Sequence, residues 1–326
     1  MKNLFLTILL VPLLFWSCEE NVSPKAPLPD DYVVNIIIRG DSGIQTATVT
    51  KVYDVEGFNP GDLKTDPSVA GAKIYLKYSG ANTEYLFRDT TDNNLINKRF
   101  GTPAKYYYLK NFPMLSGNEV EVKAVMPDGK VVTSKTRIPE AVSFTFDGTT
   151  PFIPGPLIGR DTVNISVAWN NSPTELVKMG KVKLVYFYKE TDGSKTRYEK
   201  EVPLEINVSG NDTLKNYFLS NFNNDIKFSR ALLKKTLEEI SIGNTAKGRY
   251  SIAPLEVEVF VMDEYLTRYY SAGLLYDYGF TIRNLPTQIS NMSGGLGFLG
   301  SYSYSKITIR FEDQYLLNNF GYLREK

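Results

Sequence analysis

The sequence contains no histidine and only one cysteine, Cys18, among its 326 residues. Without histidine, the chain cannot build a Ser-His-Asp or Cys-His catalytic arrangement or a histidine-ligated zinc site. A lone cysteine also excludes a disulfide within the chain and a thiolate zinc site. Acid–base chemistry near neutral pH would therefore fall to carboxylate, lysine or tyrosine side chains. We expect a protein that is not an enzyme and that holds no metal and no cofactor.

An excess of positive charge is missing as well. The chain has 37 basic and 36 acidic side chains, and loss of an N-terminal segment containing Lys2 would leave the two numbers equal. Nucleic-acid-binding proteins show a basic footprint, so we expect no nucleic-acid partner. Tryptophan is nearly absent, whereas the chain has 22 tyrosines and 18 phenylalanines. This aromatic content is typical of packed β-sheets.

No apolar run is long enough to span a bilayer as a helix, which needs about 20 residues. The longest run near the start is 4–15, which follows Lys2 and precedes Ser17 and Cys18. A short apolar segment with these flanks predicts a signal peptide over 1–17. A cysteine directly after it is typical of a lipoprotein, in which the thiol carries the lipid and becomes the new N-terminus. Because Phe15 and Trp16 are bulkier than the usual residues before a lipidated cysteine, an ordinary secretory signal with an unrelated cysteine is the alternative.

Two acidic residues, Glu19 and Glu20, follow Cys18. They resemble the export signal of Bacteroidetes-type surface lipoproteins, which directs such proteins to the cell exterior. We therefore expect a lipid-anchored protein of the outer membrane that faces outward. The polar, proline-rich segment 18–30 predicts a flexible tether between the lipid and the first folded element.

The rest of the chain predicts a mainly β protein in two parts. Short segments rich in β-branched and aromatic residues recur about every ten residues over 31–139, which is typical of a β-sandwich. Residues 140–326 predict a second β-rich domain with one or two helices. Leu233, Leu237 and Ile240 share a helical row, which predicts a helix near 229–240 with Ser229 as its cap. Asp263 predicts the cap of a second helix near 264–275.

Four segments in order resemble the Bacteroidetes-type outer-membrane lipoprotein family catalogued as domain of unknown function 4249. They are 32–40, 69–74, 257–270 and the glycine-rich block 291–302, which is the most specific of the four. The resemblance implies an N-terminal immunoglobulin-like or carboxypeptidase-regulatory-like sandwich, a second β-rich domain and an outer-membrane lipoprotein. It also implies a companion of TonB-dependent transporters, but it implies no reaction.

The glycine-rich block contains the spacing G-x-G-x-x-G from Gly295 to Gly300. We do not interpret it as a dinucleotide fingerprint, since an alternating strand follows it where the fingerprint requires a helix. Its glycines instead predict positive φ angles or a close approach of two chains. An exposed glycine loop at Gly295 and Gly297 is also a candidate docking point for a partner or ligand.

Exposed aromatic residues are the other candidates for partner or ligand binding. In a strand, Tyr107 should face one side of its sheet, and Tyr106 and Tyr108 the other. One side is expected in the core and the other exposed. Tyr302 and Tyr304 share one face beside the glycine loop and are candidates for the same role.

The sequence thus favours an accessory or binding subunit of a TonB-dependent transporter or of another outer-membrane assembly. A stand-alone surface module that binds a glycan or peptide is the alternative. A carboxylate-based hydrolase is the weakest hypothesis, because no pair of acids stands out and glycosidases need two carboxylates at a defined separation.

Overall fold

The structure is a computed structural model, and it describes residues 31–53, 55, 62–94, 100–145, 152–153, 164–170, 172–209, 212–274 and 290–325. Cys18, Glu19 and Glu20 lie outside the described residues. The strands of the first part are β1 (Tyr32–Arg39), β2 (Ile44–Lys51), β3 (Lys73–Tyr78), β4 (Tyr85–Leu86), β5 (Arg88–Asp92), β6 (Ala104–Lys110), β7 (Glu119–Val125) and β8 (Val131–Arg137). The later strands are β9 (Ser143–Thr145), β10 (Phe152–Ile153), β11 (Asn164–Asn170), β12 (Lys178–Lys189), β13 (Lys195–Val202), β14 (Glu205–Ser209), β15 (Asp212–Asn216), β16 (Leu219–Asn221), β17 (Asp225–Ser229), β18 (Tyr250–Ile252), β19 (Leu255–Met262), β20 (Leu296–Phe311) and β21 (Leu323–Arg324).

These elements confirm a mainly β fold. The largest sheet has the strand order β21-β18-β12-β19-β20-β1-β2-β6-β5, with β10, β13 and β16 pairing at its side, and we call it the central sheet. A four-stranded sheet, β4-β3-β7-β8, forms a second layer over the β1, β2 and β6 end. Smaller sheets are β17-β11-β9 and β14-β15.

Two hydrophobic cores lie beneath the central sheet. The first contains side chains from β1, β2 and β6 on one layer and from β3, β7 and β8 on the other, so this part is a two-layer sandwich. The second core draws on residues from Val142 to Tyr322. Leu299 of β20 belongs to the first core. The division into domains at 139 stays a prediction, and the structure adds that one sheet runs through both parts.

Three helices are present in the described residues, where the sequence predicted one or two. They are α1 (Arg230–Glu239), α2 (Glu264–Leu274) and α3 (Asp313–Phe320), and a 3₁₀ turn spans Lys247–Arg249. Leu233, Leu237 and Ile240 of the predicted row are all buried. Ser229 occupies the N-cap position of α1, but its side chain makes no capping hydrogen bond. Within the described ranges, no helix combines the length and apolar character that crossing a membrane requires.

The first described strand, β1, meets the long strand β20 in the middle of the central sheet. Strand β1 pairs in parallel with β20, from Val33 opposite Leu296 to Arg39 opposite Tyr302. Gly297 has a φ angle of 119°, and a Cβ atom there would overlap the backbone of Val34. A side chain at this position would be strained both by the backbone angle and by the neighbouring strand. Glycine is thus what lets β20 lie against β1.

Asp263 joins three elements where the two parts of the chain meet. Its Oδ1 accepts a hydrogen bond of 2.8 Å from the Leu266 backbone N–H, so it caps α2 as the sequence predicts. Its Oδ2 accepts hydrogen bonds from Thr136 Oγ1 of β8 at 2.5 Å and from the Ser301 backbone N–H of β20 at 2.6 Å. The residue is only 3% exposed. Burial raises the pKa of Asp263, although the hydrogen bonds from Thr136, Leu266 and Ser301 act in the opposite direction.

Replacing Asp263 by alanine should lower the free energy of unfolding by at least about 2 kcal/mol. The change removes a helix cap, which is worth about 0.5–2 kcal/mol, and it leaves buried donors of Thr136 and Ser301 without an acceptor, at about 1–3 kcal/mol. Urea unfolding at pH 7 measures the difference. The control is Glu264→Ala, whose exposed side chain pairs with Arg268 one helical turn away; such a pair contributes about 0.2–0.5 kcal/mol. Equal losses in the two variants would contradict the role given to Asp263.

Replacing Gly297 by alanine should destabilise the fold by more than about 2 kcal/mol, because a positive φ angle alone costs about 1–2 kcal/mol for an L-residue and the added Cβ must displace Val34. Gly43 in the β1–β2 turn has no atom within 4 Å of an added Cβ. Gly43→Ala is therefore the matched control and should change the stability by less than about 1 kcal/mol. Thermal unfolding of both variants against the parent protein tests this, and a neutral Gly297→Ala would show that β20 does not need glycine there.

Candidate binding face

The central sheet has one face on the cores and one face that is partly open to solvent. Along β1, Val34, Ile36 and Ile38 are buried, whereas Ile37 is 39% exposed. Residues opposite each other in a ladder point to the same side of the sheet. Ile37 lies opposite Thr46 of β2 and opposite Gly300 of β20, so these positions share the open side. We call this side the open face.

Tyr106 and Tyr108 also lie on the open face. Tyr108 is opposite Thr46 in the β2–β6 ladder, and both tyrosines are half-buried. Tyr107 lies opposite Ala47, is 1% exposed and belongs to the first core. Its hydroxyl donates to the Val69 carbonyl at 2.7 Å. The predicted alternation is therefore confirmed, but Tyr107 was wrongly included among the binding candidates, since no partner can reach a core side chain.

Tyr302 and Tyr304 form an aromatic group with Phe260 on the same face. The Phe260 ring centroid is 5.6 Å from that of Tyr302 and 5.3 Å from that of Tyr304. The Tyr302 hydroxyl donates to Asp41 at 2.7 Å and accepts from Arg39 at 3.1 Å. Burial, with the neighbouring carboxylates, raises the pKa of both tyrosines, so both stay neutral. The four candidate tyrosines 106, 108, 302 and 304 are thus brought to one face of one sheet.

The glycine-rich block forms a bend that leads into β20, in which Ser293 and Gly294 are exposed and Gly295 and Gly297 are half-buried. A Cβ at Gly295 would lie 2.7 Å from the Val132 side chain and 3.1 Å from the Tyr32 carbonyl oxygen. Gly297 is closed in by Val34 in the same way. These contacts confirm the predicted close approach of two chains at the glycines. Gly297 also borders a cleft beside helix α2. The docking role of Gly295 and Gly297 stays a prediction.

Helix α2 lies over the open face and leaves a depression on each side. Leu266 packs against Gly300 and Phe298, and this contact anchors the helix to β20. On the β1–β2 side lies a cleft of about 580 Å³, which we call the α2 cleft. Its described lining includes Asn35, Ile37, Thr46, Thr48, Tyr269, Tyr270 and Phe298.

A smaller depression of about 160 Å³ lies towards β12 and β19, and we call it the apolar hollow. Its described lining is Ile37, Met179, Phe218, Phe260, Met262, Leu266, Tyr270 and Tyr302. All eight side chains are apolar or aromatic. Phe218 is 41% exposed, so an aromatic ring stands at the rim. The hollow adjoins the α2 cleft at Ile37, Leu266 and Tyr270.

Beyond the apolar hollow, the open face carries alternating charges across β13, β12, β19 and β20. Lys183 lies 3.1 Å from Glu256, 3.4 Å from Glu258 and 3.5 Å from Glu199. Lys181 lies 3.0 Å from Glu258, and Lys306 lies 3.0 Å from Glu256. Each charge has an opposite partner, and we call this group the charge ladder.

The charge ladder also sets the ionisation of Glu256, one of two neighbouring acids on this face. Glu256 and Glu258 both contact Lys183, so the two carboxylates are near each other. Burial by itself would raise the pKa of Glu256, but hydrogen bonds from Lys306 and Lys183 outweigh it and lower the pKa. A glycosidase needs one carboxylic acid with a raised pKa. Because its pKa is lowered, Glu256 is ionised near neutral pH and is unsuited to the role of the acid.

Among the described residues, Asp263 is the carboxyl group with a raised pKa, and it borders a depression of about 710 Å³ with Glu140, Glu175 and Glu264. Both of its oxygens already accept hydrogen bonds from Thr136, Ser301 and Leu266. Its environment is explained by helix capping and by the junction of β8 and β20. Among the described residues, no group of three or more acidic, cysteine or histidine side chains is placed to hold a metal ion.

Sequence reasoning missed several residues of the open face. Ile37, Phe218, Tyr269, Tyr270 and Phe298 line the two depressions and were not singled out. The alternation in β1 separates Ile37 from Ile36 and Ile38, but it does not say which set is exposed. Tyr269 and Tyr270 gain their position from α2, whose place over β20 depends on long-range packing.

A family model described as a domain of unknown function, DUF4249, matches residues 19–308. The match begins directly after Cys18 and includes the four segments on which the resemblance was based. No curated protein matches the chain. The match spans most of the sequence, and so the chain belongs to the DUF4249 family.

Proposed function

We propose that the protein is a lipid-anchored outer-membrane lipoprotein, facing the cell exterior, that acts as a non-enzymatic accessory or binding subunit of an outer-membrane assembly. A TonB-dependent β-barrel transporter is the partner we favour. The apolar hollow, with Phe218 exposed at its rim, carries the proposal. Exposed aromatic rings around a desolvated pocket are typical of the energetic centre of a protein–protein interface.

The anchor is supported by the sequence alone. Cys18 follows a short apolar signal segment, and Glu19 and Glu20 resemble a surface-export signal. Two acyl chains on one residue give stable membrane attachment, at about 0.8 kcal/mol per buried methylene group. The segment 18–30 then supplies a spacer before Tyr32, the first residue of β1.

The charge ladder supports a particular orientation of the partner. Its charges are mutually neutralised and lie beside the apolar hollow, so they form a polar border to an aromatic centre. Such a border adds specificity more than affinity. A partner would therefore contact Phe218, Phe260 and Tyr302 through apolar groups and meet the ladder at the rim.

A stand-alone surface module for a glycan or peptide is the second candidate, and the α2 cleft favours it. The cleft has the size of a small-ligand site, for which about 300–1,000 Å³ is usual, and it is lined by aromatic and neutral polar side chains. The two functions are compatible, since the α2 cleft and the apolar hollow lie on different sides of α2.

Cys18→Ala should abolish lipid labelling and release the protein from the membrane fraction. The physical reason is that a tether without acyl chains retains no apolar anchor. Metabolic labelling with a radioactive fatty acid, followed by membrane fractionation, measures both effects. Ser23→Ala in the same tether is the control and should stay labelled and membrane-bound. A Cys18→Ala protein that remains in the outer membrane would contradict lipid anchoring.

Phe218→Glu should remove a β-barrel partner that co-purifies with the full-length protein in mild detergent. The change places a charge at the rim of an apolar contact, which the partner would have to desolvate. Phe222→Glu is the matched control, because Phe222 is also 41% exposed but does not line the apolar hollow. Mass spectrometry of the purified material, with circular dichroism to confirm folding, gives the answer. Recovery of a free monomer from the parent protein would overturn the accessory role, and equal loss in both variants would overturn the assigned surface.

A further inference from the structure

We propose that the α2 cleft binds an uncharged saccharide. Tyr269 and Tyr270 of α2 form its aromatic wall together with Phe298 of β20, and the floor on β1 and β2 presents Asn35, Thr46 and Thr48 beside the apolar Ile37. This inference rests on the binding role proposed above and names the ligand class. It concerns the cleft on the β1–β2 side of α2, separate from the apolar hollow assigned to a protein partner.

The residues that line the α2 cleft disfavour a charged ligand. Among the described residues that line the α2 cleft, none is acidic or basic. Elsewhere the same sheet face carries the charge ladder and the Arg39–Asp41 pair, whose atoms are 3.1 Å apart. An ionised ligand in the cleft would lose hydration without gaining an opposite charge, and this is unfavourable. The ligand should therefore be neutral.

The wall offers ring faces and edges. Tyr269 is 56% exposed, and its ring centroid is 5.3 Å from that of Tyr270 and 6.5 Å from that of Phe298. These three rings present an aromatic surface above the floor of the sheet. The C–H face of a sugar ring is apolar and packs on such a surface, while its hydroxyl groups point sideways to polar partners.

The floor supplies those partners. Asn35 lies directly opposite Thr48 in the β1–β2 ladder, and Thr46 is opposite Ile37. Directly opposed side chains start about 4.5–5.5 Å apart and diagonal neighbours about 7–8 Å apart, so the amide and the two hydroxyls lie within reach of one ligand. Within the described part of the chain, none of these three side chains makes a hydrogen bond. Amides and hydroxyls both donate and accept, which matches the hydroxyl groups of a sugar.

The strands below the cleft argue against an extended peptide. A peptide commonly binds a sheet by adding a strand at an open edge. Here β1 is paired with β2 and β20, and β2 is paired with β1 and β6. Their backbone groups are occupied, so recognition must come from side chains. A neutral peptide is therefore an outcome of the test and not the ligand that we propose.

The test uses the full-length protein, purified in detergent, on an array of neutral α- and β-linked oligosaccharides, acidic oligosaccharides and uncharged peptides. We expect binding to neutral oligosaccharides only. Tyr269→Ala should weaken it about 3- to 10-fold, as loss of one aromatic contact predicts, and Asn35→Ala should weaken it through the lost amide. Tyr198→Ala is the matched control, because Tyr198 is 42% exposed on β13 and outside the α2 cleft; its binding should equal that of the parent.

Three results would overturn the proposal. They are binding of peptides or acidic saccharides at Tyr269, the absence of any neutral saccharide bound by the folded protein, and neutral binding that Tyr269→Ala and Asn35→Ala leave unchanged. Circular dichroism of each variant separates loss of binding from loss of folding. Membrane fractionation and co-purification of a β-barrel do not depend on this array, so failure of the saccharide proposal is distinguishable from failure of the accessory function.

Discussion

The parallel pairing of β1 with β20 is the constraint on which the rest of the structure depends. It joins Val33 to Leu296 and continues to Arg39 and Tyr302, so it places the first described strand in the middle of a sheet otherwise built from later residues. Leu299 thereby enters the first core. The same pairing puts Ile37 beside Phe298 and Gly300 and so creates the floor on which α2 rests. Without it, the tyrosines of β6 and of β20 would not share a face.

The β1–β20 pairing does not by itself position α2 or the second sandwich layer. Asp263 connects both of them to β20. One carboxylate caps the helix and also accepts donors from Thr136 of β8 and Ser301 of β20. A buried carboxyl group without a cation is costly, and its raised pKa reports that cost. The geometry it imposes is specific, because each donor comes from a different element. The α2 cleft therefore depends on Asp263 together with the packing of Leu266 against Gly300 and Phe298.

Much of the fold follows from local sequence patterns. Period-two alternation correctly separates Tyr107 from Tyr106 and Tyr108, and the spacing of Leu233, Leu237 and Ile240 locates α1. The third helix was missed, although its end is marked by Gly321, which has a φ angle of 72°. The open face could not be predicted, because alternation defines two sets of residues and only the long-range partners decide which set is buried. Asp263 was predicted as a cap, but its contacts with Thr136 and Ser301 depend on strands distant in sequence.

The open face has three regions of different chemical character. Two different ligands, a small molecule and a protein, could therefore bind to separate regions of it. Among their described lining residues, the α2 cleft has no charge and the apolar hollow has only apolar and aromatic side chains, whereas the charges of the charge ladder neutralise each other. A protein partner on the hollow would bury Phe218 and Phe260 while leaving Asn35 and Thr48 on the other side of α2. Both depressions are lined by Leu266 and Tyr270, so a ligand in one and a partner on the other would contact the same two side chains of α2. Coupling between a small ligand and a partner protein would then pass through α2 itself, the element that Asp263 holds in place.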